Sequence, residues 1–168
     1  YPDTFTIPEP IMAKSGAKIM SLADPTKKMS KSDENINAVV YILDDRDTII
    51  RKFKRAVTDS DTERCVRYDI ENKPGVANLM SIYSSVTGKS FEEIEREFDG
   101  KGYGVFKPAV GEAVIENLRP IREEAERMIA DKAYLASAYT EGAKKAQYIA
   151  RQTLRQVYKQ VGLVEKPL

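Results

Sequence analysis

Apolar positions recur at helical spacing over much of the chain, and the longest such run lies in its second half. From Pro108 the series Val110, Val114, Leu118, Ile121, Ala125 and Met128 keeps its phase through Pro120. It predicts one kinked helix to about Ile129, because a mid-helix proline removes a hydrogen bond and crowds the preceding turn. Val76, Leu79, Met80, Tyr83 and Val86 share one side of a helix that Pro74 opens and Gly88 ends after Thr87. Ile49, Ile50, Phe53, Ala56 and Val57 form the stripe of a helix from about Asp45 to Thr58, with Asp44 as its cap and Asp45 and Asp47 at its positive end. Arg51, Lys52, Lys54 and Arg55 are then expected on its outer surface, as a solvated face or as contacts to RNA phosphates. Ser90-Phe91-Glu92-Glu93 is a capping box for a short helix ending near Phe98. Asp131 is expected to cap a short helix to Tyr139, and Thr140 to start a last helix ending at Gly162, with Ala146, Ala150, Thr153, Val157 and Val161 facing inward.

The remainder reads as extended or irregular. Pro2, Pro8 and Pro10 hold the first ten residues extended, with Phe5-Thr6-Ile7 as a short strand. Ala17 to Leu22 is a second short strand, and the β-branched run Val39-Val40-Tyr41-Ile42 predicts a third between Asn37 and Leu43. Asp59 to Asp69 is a loop with a short extended piece from Cys65 to Tyr68. Gly100, Gly102 and Gly104 resemble a phosphate cradle only superficially, because the strand that such a motif requires is missing before them. They connect helices.

Composition narrows the function classes. The 168 residues suffice for a core, and 42% hydrophobic with 32% charged residues is an ordinary globular balance. Lysine and arginine total 27 against 26 acids, a net charge of +1, so any nucleic-acid partner must be met by a local patch. With one cysteine, Cys65, and no histidine, an internal disulfide, a zinc site and a Ser-His-Asp or Cys-His nucleophile are excluded within these residues. Cys65 is expected to be an inert, covered thiol. No signal peptide or long apolar run is evident, and the expected location is the cytoplasm, with no membrane partner.

One stretch reads as chemistry: Asp24-Pro25-Thr26-Lys27-Lys28-Met29-Ser30-Lys31-Ser32-Asp33. Pro25 and the polar run argue for a loop, and Ser32 or Asp33 is a candidate cap for the next element along the chain. Lysine ammonium groups on flexible stems suit a polyphosphate, and the serine hydroxyls can bond phosphate oxygens or brace the loop. A solvated basic loop or part of a nuclear-targeting signal has the same composition.

Lys28-Met29-Ser30-Lys31-Ser32 reproduces the Lys-Met-Ser-Lys-Ser signature of class I aminoacyl-tRNA synthetases. Further segments come in matching order: Gly16 to Leu22, Ala56 to Asp61, Val66 to Asp69, Asn72 to Val76, Val86 to Ser90 and Gly102 to Lys107. Together they resemble the back part of the bacterial tryptophanyl-tRNA synthetases over essentially the whole chain. The resemblance implies a mainly α fold, a helical domain of the anticodon-binding type behind a truncated edge of a Rossmann-type α/β nucleotide-binding domain. Residues 1–36 would be the remnant of the catalytic domain with the lysine loop, and residues 37–168 the helical tRNA-binding domain. It implies catalytic roles for Lys28 and Lys31, and an ATP site formed by Ile19, Lys28, Met29, Ser30, Lys31 and Ser32. By physics alone the Ile19 side chain is a strand core residue, and its backbone is the part implied to touch adenine. Mg²⁺ would accompany ATP without a protein cage.

On the last helix Lys144, Tyr148, Arg151, Arg155 and Lys159 recur at spacings of four, three, four and four. Basic residues with an interleaved aromatic suit unpaired RNA, and also describe an ordinary exposed helix face. The implied partner is tRNA(Trp), with ATP and L-tryptophan as substrates of a homodimeric enzyme. Tyr1 reads as a cut point inside a larger protein. The His-Ile-Gly-His-like turn of this class and the amino-acid pocket are absent from these residues, so the chain alone is expected to be inactive. A tyrosyl enzyme of the same subclass and a non-catalytic RNA-binding module are the alternatives. A strand at Ala17 to Leu22 without neighbours would also leave an unpaired edge open to a second copy.

Overall fold

The computed structural model describes residues 1, 4–12, 16, 18–62 and 65–164, and they form a helical structure. Five helices are present among the described residues: α1 Arg46–Arg55, α2 Pro74–Thr87, α3 Phe91–Glu97, α4 Tyr103–Ala130 and α5 Lys132–Val161. Local signals fix most of their ends. Pro74 stands in the first turn of α2, and Gly88, at φ 75°, closes it by donating its N–H to the Ser84 carbonyl. Both bonds of the capping box open α3, from the Glu93 N–H to the Ser90 hydroxyl and from the Ser90 N–H to the Glu93 carboxylate.

Other boundaries differ from expectation. Asp45, not Asp44, caps α1, accepting the Thr48 N–H at 2.6 Å. Asp44 is engaged elsewhere, with the Tyr41 N–H and the Lys52 ammonium. The helix stops at Arg55, where Ala56 turns its N–H back to the Phe53 carbonyl. α4 starts five residues before Pro108, because the Gly102 carbonyl accepts the Val105 and Phe106 N–H groups, and it runs on through Pro120. α5 is one helix rather than two. Thr140 opens nothing; its hydroxyl bonds the Ala136 carbonyl one turn back, which keeps a β-branched residue inside a helix.

None of the three expected strands forms among the described residues. Asn37 to Leu43 ends in a turn in which Asp44 donates its N–H to the Tyr41 carbonyl. Residues 6–10 carry no regular structure, with Ile7 exposed. Only an isolated antiparallel bridge, Met20 to Lys28, remains of the second strand.

The chain divides into two units, residues 12–123 and residues 1–11 with 124–168. The first unit holds the core: Ile49 and Phe53 of α1, Val76 and Met80 of α2, Ile94 of α3, and Phe106 of α4 are at most 1% exposed. Phe98 and Phe106 meet edge to face at 4.9 Å, with Tyr83 against both. Gly75 lets α2 approach the end of α1: a Cβ there would lie 2.1 Å from the Val57 carbonyl oxygen. In the second unit Asp131 caps α5 through the Tyr134 N–H, and Glu124–Arg127 and Glu141–Lys144 pair one turn apart. No residue of α5 is buried. The expected inward row is not covered: Ala146, Ala150 and Thr153 are exposed, and only Val157 and Val161 are partly buried.

Candidate functional site

The lysine loop is a tight reversal fixed on both flanks. Asp24 builds the turn: its carboxylate accepts the N–H and hydroxyl of Thr26 and pairs with Lys27 at 3.1 Å, while its carbonyl accepts the Lys27 N–H. These bonds, the Thr26 hydroxyl foremost and then Lys27, hold the Asp24 carboxyl below the usual carboxylate range. The buried Ser21 hydroxyl accepts the N–H groups of Ala23 and Asp24. The Ser21 N–H donates to the Lys27 carbonyl and the Met29 N–H to the Ile19 carbonyl, at 2.8 and 3.0 Å.

The other side of this leg is also satisfied. Asn78 of α2, buried at 6% exposure, receives the Met20 N–H on its amide oxygen at 2.8 Å and donates its amide N–H to the Met20 carbonyl at 2.9 Å. One side chain thus replaces a neighbouring strand. The Leu22 N–H bonds the Ala38 carbonyl, and the Leu22 carbonyl takes the Val57 N–H. The expected open edge is therefore closed from Met20 to Leu22 by the chain itself, which removes the reason for pairing with a second copy there.

Past the turn, the Ser30 and Ser32 hydroxyls lie 3.0 Å apart, and the Ser32 N–H reaches the Ser30 hydroxyl. The serines thus brace the loop. Asp33 caps no helix; it accepts the Asn35 N–H in a further turn. The Tyr41 hydroxyl donates to the Lys31 carbonyl at 3.1 Å. Lys28 and Lys31 are exposed, and neither ammonium has a partner among the described residues. Ile19 and Met29 turn their side chains to the core and line an apolar cavity of about 230 Å³ with Val40, Phe53, Ile82 and Val86. The loop therefore offers two free ammonium groups, two hydroxyls and an apolar floor.

Lys52 corrects the sequence reading. It is 3% exposed, with its ammonium 2.6 Å from Asp44 and 4.9 Å from the Tyr41 ring centre. It belongs to the interior, not to the basic outer face. Arg46 of the same helix pairs with Glu112.

Several of the segments that carried the resemblance converge in space. Lys73 places its ammonium 3.1 Å from Asp59 and 2.5 Å from Asp61, and the Tyr103 hydroxyl lies 2.7 Å from Asp59 and 2.9 Å from the Cys65 carbonyl. Lys107 donates to the Ala56 carbonyl at 2.8 Å. Burial pulls the Lys73 ammonium down, but the bonds to Asp61 and Asp59 outweigh it and raise it above its ordinary value. Burial likewise raises Asp59, and is outweighed by bonds from Tyr103, the Asp61 N–H and Lys73, so its carboxyl titrates low. Burial, with the Asp59 bond, pushes the Tyr103 phenol up, and lowers Lys107. Cys65 is buried and its thiol donates to the Asp61 carbonyl. This cluster ties the loop after α1 to the starts of α2 and α4.

On α5, Lys144, Tyr148, Arg151, Arg155 and Lys159 are all exposed, and Lys144 pairs with Glu141. Exposure does not separate this stripe from the opposite face. Among the described residues no group of three or more acidic or cysteine side chains is arranged to hold a metal ion, and no helix is long and apolar enough to cross a membrane.

Sequence reasoning missed Asn78 and gave Tyr41 and Asp44 other roles, a strand position and a helix cap. For Asn78 a signal existed: it stands between the apolar residues Val76, Ala77, Leu79 and Met80 of a helix, and an amide enclosed by such residues requires a partner.

A family profile described as tRNA synthetases class I (W and Y) matches residues 2–119. The structure is similar to tryptophanyl-tRNA synthetase from Mycoplasma pneumoniae, with a TM-score of 0.77 and 31% identity over 90% of this chain and 47% of that one. It is also similar to tryptophanyl-tRNA synthetase from Campylobacter jejuni, solved with ADP and tryptophan, with a TM-score of 0.66 and 26% identity over 96% of this chain and 48% of that one. The chain spans about half the length of these solved structures.

Proposed function

The chain belongs to the class I tRNA synthetases of the W and Y kind, and from that premise we propose that it carries the phosphate-facing loop and tRNA-facing helices of a tryptophan–tRNA ligase. The observation behind the proposal is the pair of ammonium groups on Lys28 and Lys31, exposed and unpartnered among the described residues, on a loop whose backbone is pinned to a core. In the proposed reaction the tryptophan carboxylate attacks the α-phosphate of ATP, the bond to pyrophosphate breaks, and the tryptophanyl group later passes to tRNA(Trp). Attack by a carboxylate needs no general base, so the protein contributes position and compensation of charge on the leaving pyrophosphate. Lys31 and Lys28 supply that compensation. Met29, Ser30 and Ser32 shape the loop, and the Ile19 backbone borders the adenine. Mg²⁺ arrives with ATP and takes its remaining ligands from water.

The helices carry tRNA, with Lys144, Tyr148, Arg151, Arg155 and Lys159 of α5 as contacts to phosphate and base. The boundary between catalytic and tRNA-binding parts is proposed near residues 36 and 37, and the setting is cytoplasmic, in a homodimeric enzyme. With no histidine in its sequence the chain holds no His-Ile-Gly-His-like turn, and by itself it is proposed to form no adenylate.

The test is ATP–pyrophosphate exchange by the full-length encoded protein, with tryptophan or tyrosine as substrate. Exchange is expected to require tryptophan and to fall at least a hundredfold in Lys31→Ala, the scale of losing one charge-compensating donor. Tyrosine dependence would move the specificity to the tyrosyl enzymes of the same family. Exchange unaffected by Lys31→Ala would overturn the role of the loop.

A further inference from the structure

The buried lysine that the sequence placed at the surface lies at one end of a chain of contacts leading to the phosphate-facing loop. Lys52 reaches Asp44 at 2.6 Å, and the same Asp44 oxygen accepts the Tyr41 N–H at 2.9 Å. The Lys52 ammonium also sits 4.9 Å from the centre of the Tyr41 ring. The Tyr41 hydroxyl then donates to the Lys31 carbonyl at 3.1 Å. From α4, Arg122 donates to the Asp44 carbonyl at 3.1 Å, so two helices hold the far end of this contact chain.

Burying an ammonium is unfavourable unless it is paired, and here its charge is matched by one carboxylate and one ring face. The incoming flank of the loop is held by the bridge to Met20 and by Asn78, but from Ser30 to Ser32 the hydrogen bond that ties the loop to the rest of the chain, among the described residues, is the one from Tyr41 to the Lys31 carbonyl. We propose that Tyr41 is a positioning residue for Lys31, and that Lys52 with Asp44 fixes the Tyr41 ring so that its hydroxyl sets where the Lys31 ammonium can reach. The proposal rests on the reading of this loop as phosphate-facing for its consequence in catalysis. Its geometric part stands without that reading.

Both parts can be measured. Trypsin cleaves after lysine, and the Lys31–Ser32 bond contains the carbonyl that Tyr41 holds, whereas the Lys28–Met29 bond is held by the bridge to Met20. In Tyr41→Phe the ratio of cleavage at Lys31–Ser32 to cleavage at Lys28–Met29, read by mass spectrometry, is expected to rise about threefold, the scale of one lost hydrogen bond. Lys52→Met is expected to raise the same ratio, and Lys52→Arg to restore it. Should Lys52→Met fail to fold, Tyr41→Phe removes a single hydroxyl and keeps the test. In ATP–pyrophosphate exchange by the full-length encoded protein, Tyr41→Phe is expected to lower kcat about threefold with little change in KM for ATP, the pattern of a contact that matters in the transition state. An unchanged cleavage ratio, or a raised ratio with kcat as in the wild type, overturns the proposal. If Lys31→Ala leaves exchange intact, the functional reading of the loop fails, while the cleavage ratio still decides the brace.

Discussion

The lysine loop and helix α5 hold their shapes by opposite means. The loop has almost no regular structure, yet on the leg that enters it the N–H groups of Met20, Ser21 and Leu22 and the carbonyls of Met20 and Leu22 bond partners that range from Lys27 to Asn78. α5 is regular for thirty residues, yet buries none of them, and the side-chain bonds of Asp131, Thr140 and Lys144 reach only three or four residues along the chain. Regularity and fixity are therefore separate properties. An irregular segment becomes rigid when distant groups satisfy its backbone, whereas the backbone bonds of a long helix close within the helix itself.

One substitution, made in α2, which holds the loop through Asn78, and again in α5, gives the widest contrast. Gly75→Ala puts a Cβ 2.1 Å from the Val57 carbonyl, so α2 must move off the end of α1. The expected cost is about 3 kcal/mol or more. Gly142→Ala in α5 meets nothing within 4 Å and is expected to stabilise by about 0.5–1 kcal/mol, as alanine does in a helix interior. Thermal unfolding followed by circular dichroism checks both, and equal signs would erase the contrast.

Asn78→Ala sharpens it at the loop. The Met20 N–H and carbonyl lose their shared partner, at roughly 2–4 kcal/mol for two part-buried groups. Hydrogen exchange of the Met20 and Ser21 amides should rise sharply while the α5 amides stay as they were. Uniform change across both regions would mean that the amide supports the whole fold rather than the loop.

The smallest effect is in pH. The native Asp59 carboxyl titrates below its unfolded value, so its contribution is complete above about pH 4 and is lost as pH falls through the native value. Lys73 is shifted upward, so its contribution is complete below about pH 10 and is lost only in stronger base. Denaturant titrations should show stability level between these limits and falling on the acid side. Asp59→Asn should be less stable at neutral pH and show a shallower acid limb. An identical acid limb in the variant would remove Asp59 from the cluster's energetics.

Much of the helical scaffold was legible because its signals are local. Pro74, Gly88 and the Ser90 box act within four residues of themselves, and α2 and α3 accordingly start and end where those residues put them. The run from Val110 to Met128 outlasted Pro120 because its phase was unbroken. Thr140 misled for an equally local reason: a threonine can cap a new helix or bond backward inside an old one, and the sequence around it does not separate the two. Asp44 and Asp45 posed the same choice, decided by Lys52 reaching Asp44 from the next turns of α1.

Of the candidate site, the sequence supplied the identities of Lys28, Met29, Ser30, Lys31 and Ser32, and the family to which they point. It also determined, by itself, that these residues contribute no histidine, no internal disulfide and no strong net positive charge. Only the tertiary structure decided that Lys52 lies inside, that Asn78 stands in for a strand 58 residues away, and that Tyr41 holds the Lys31 carbonyl. The physical reason is range. Propensity, capping and periodicity are set by neighbours along the chain, whereas the cost of burying an amide or an ammonium depends on which partners the fold brings to it.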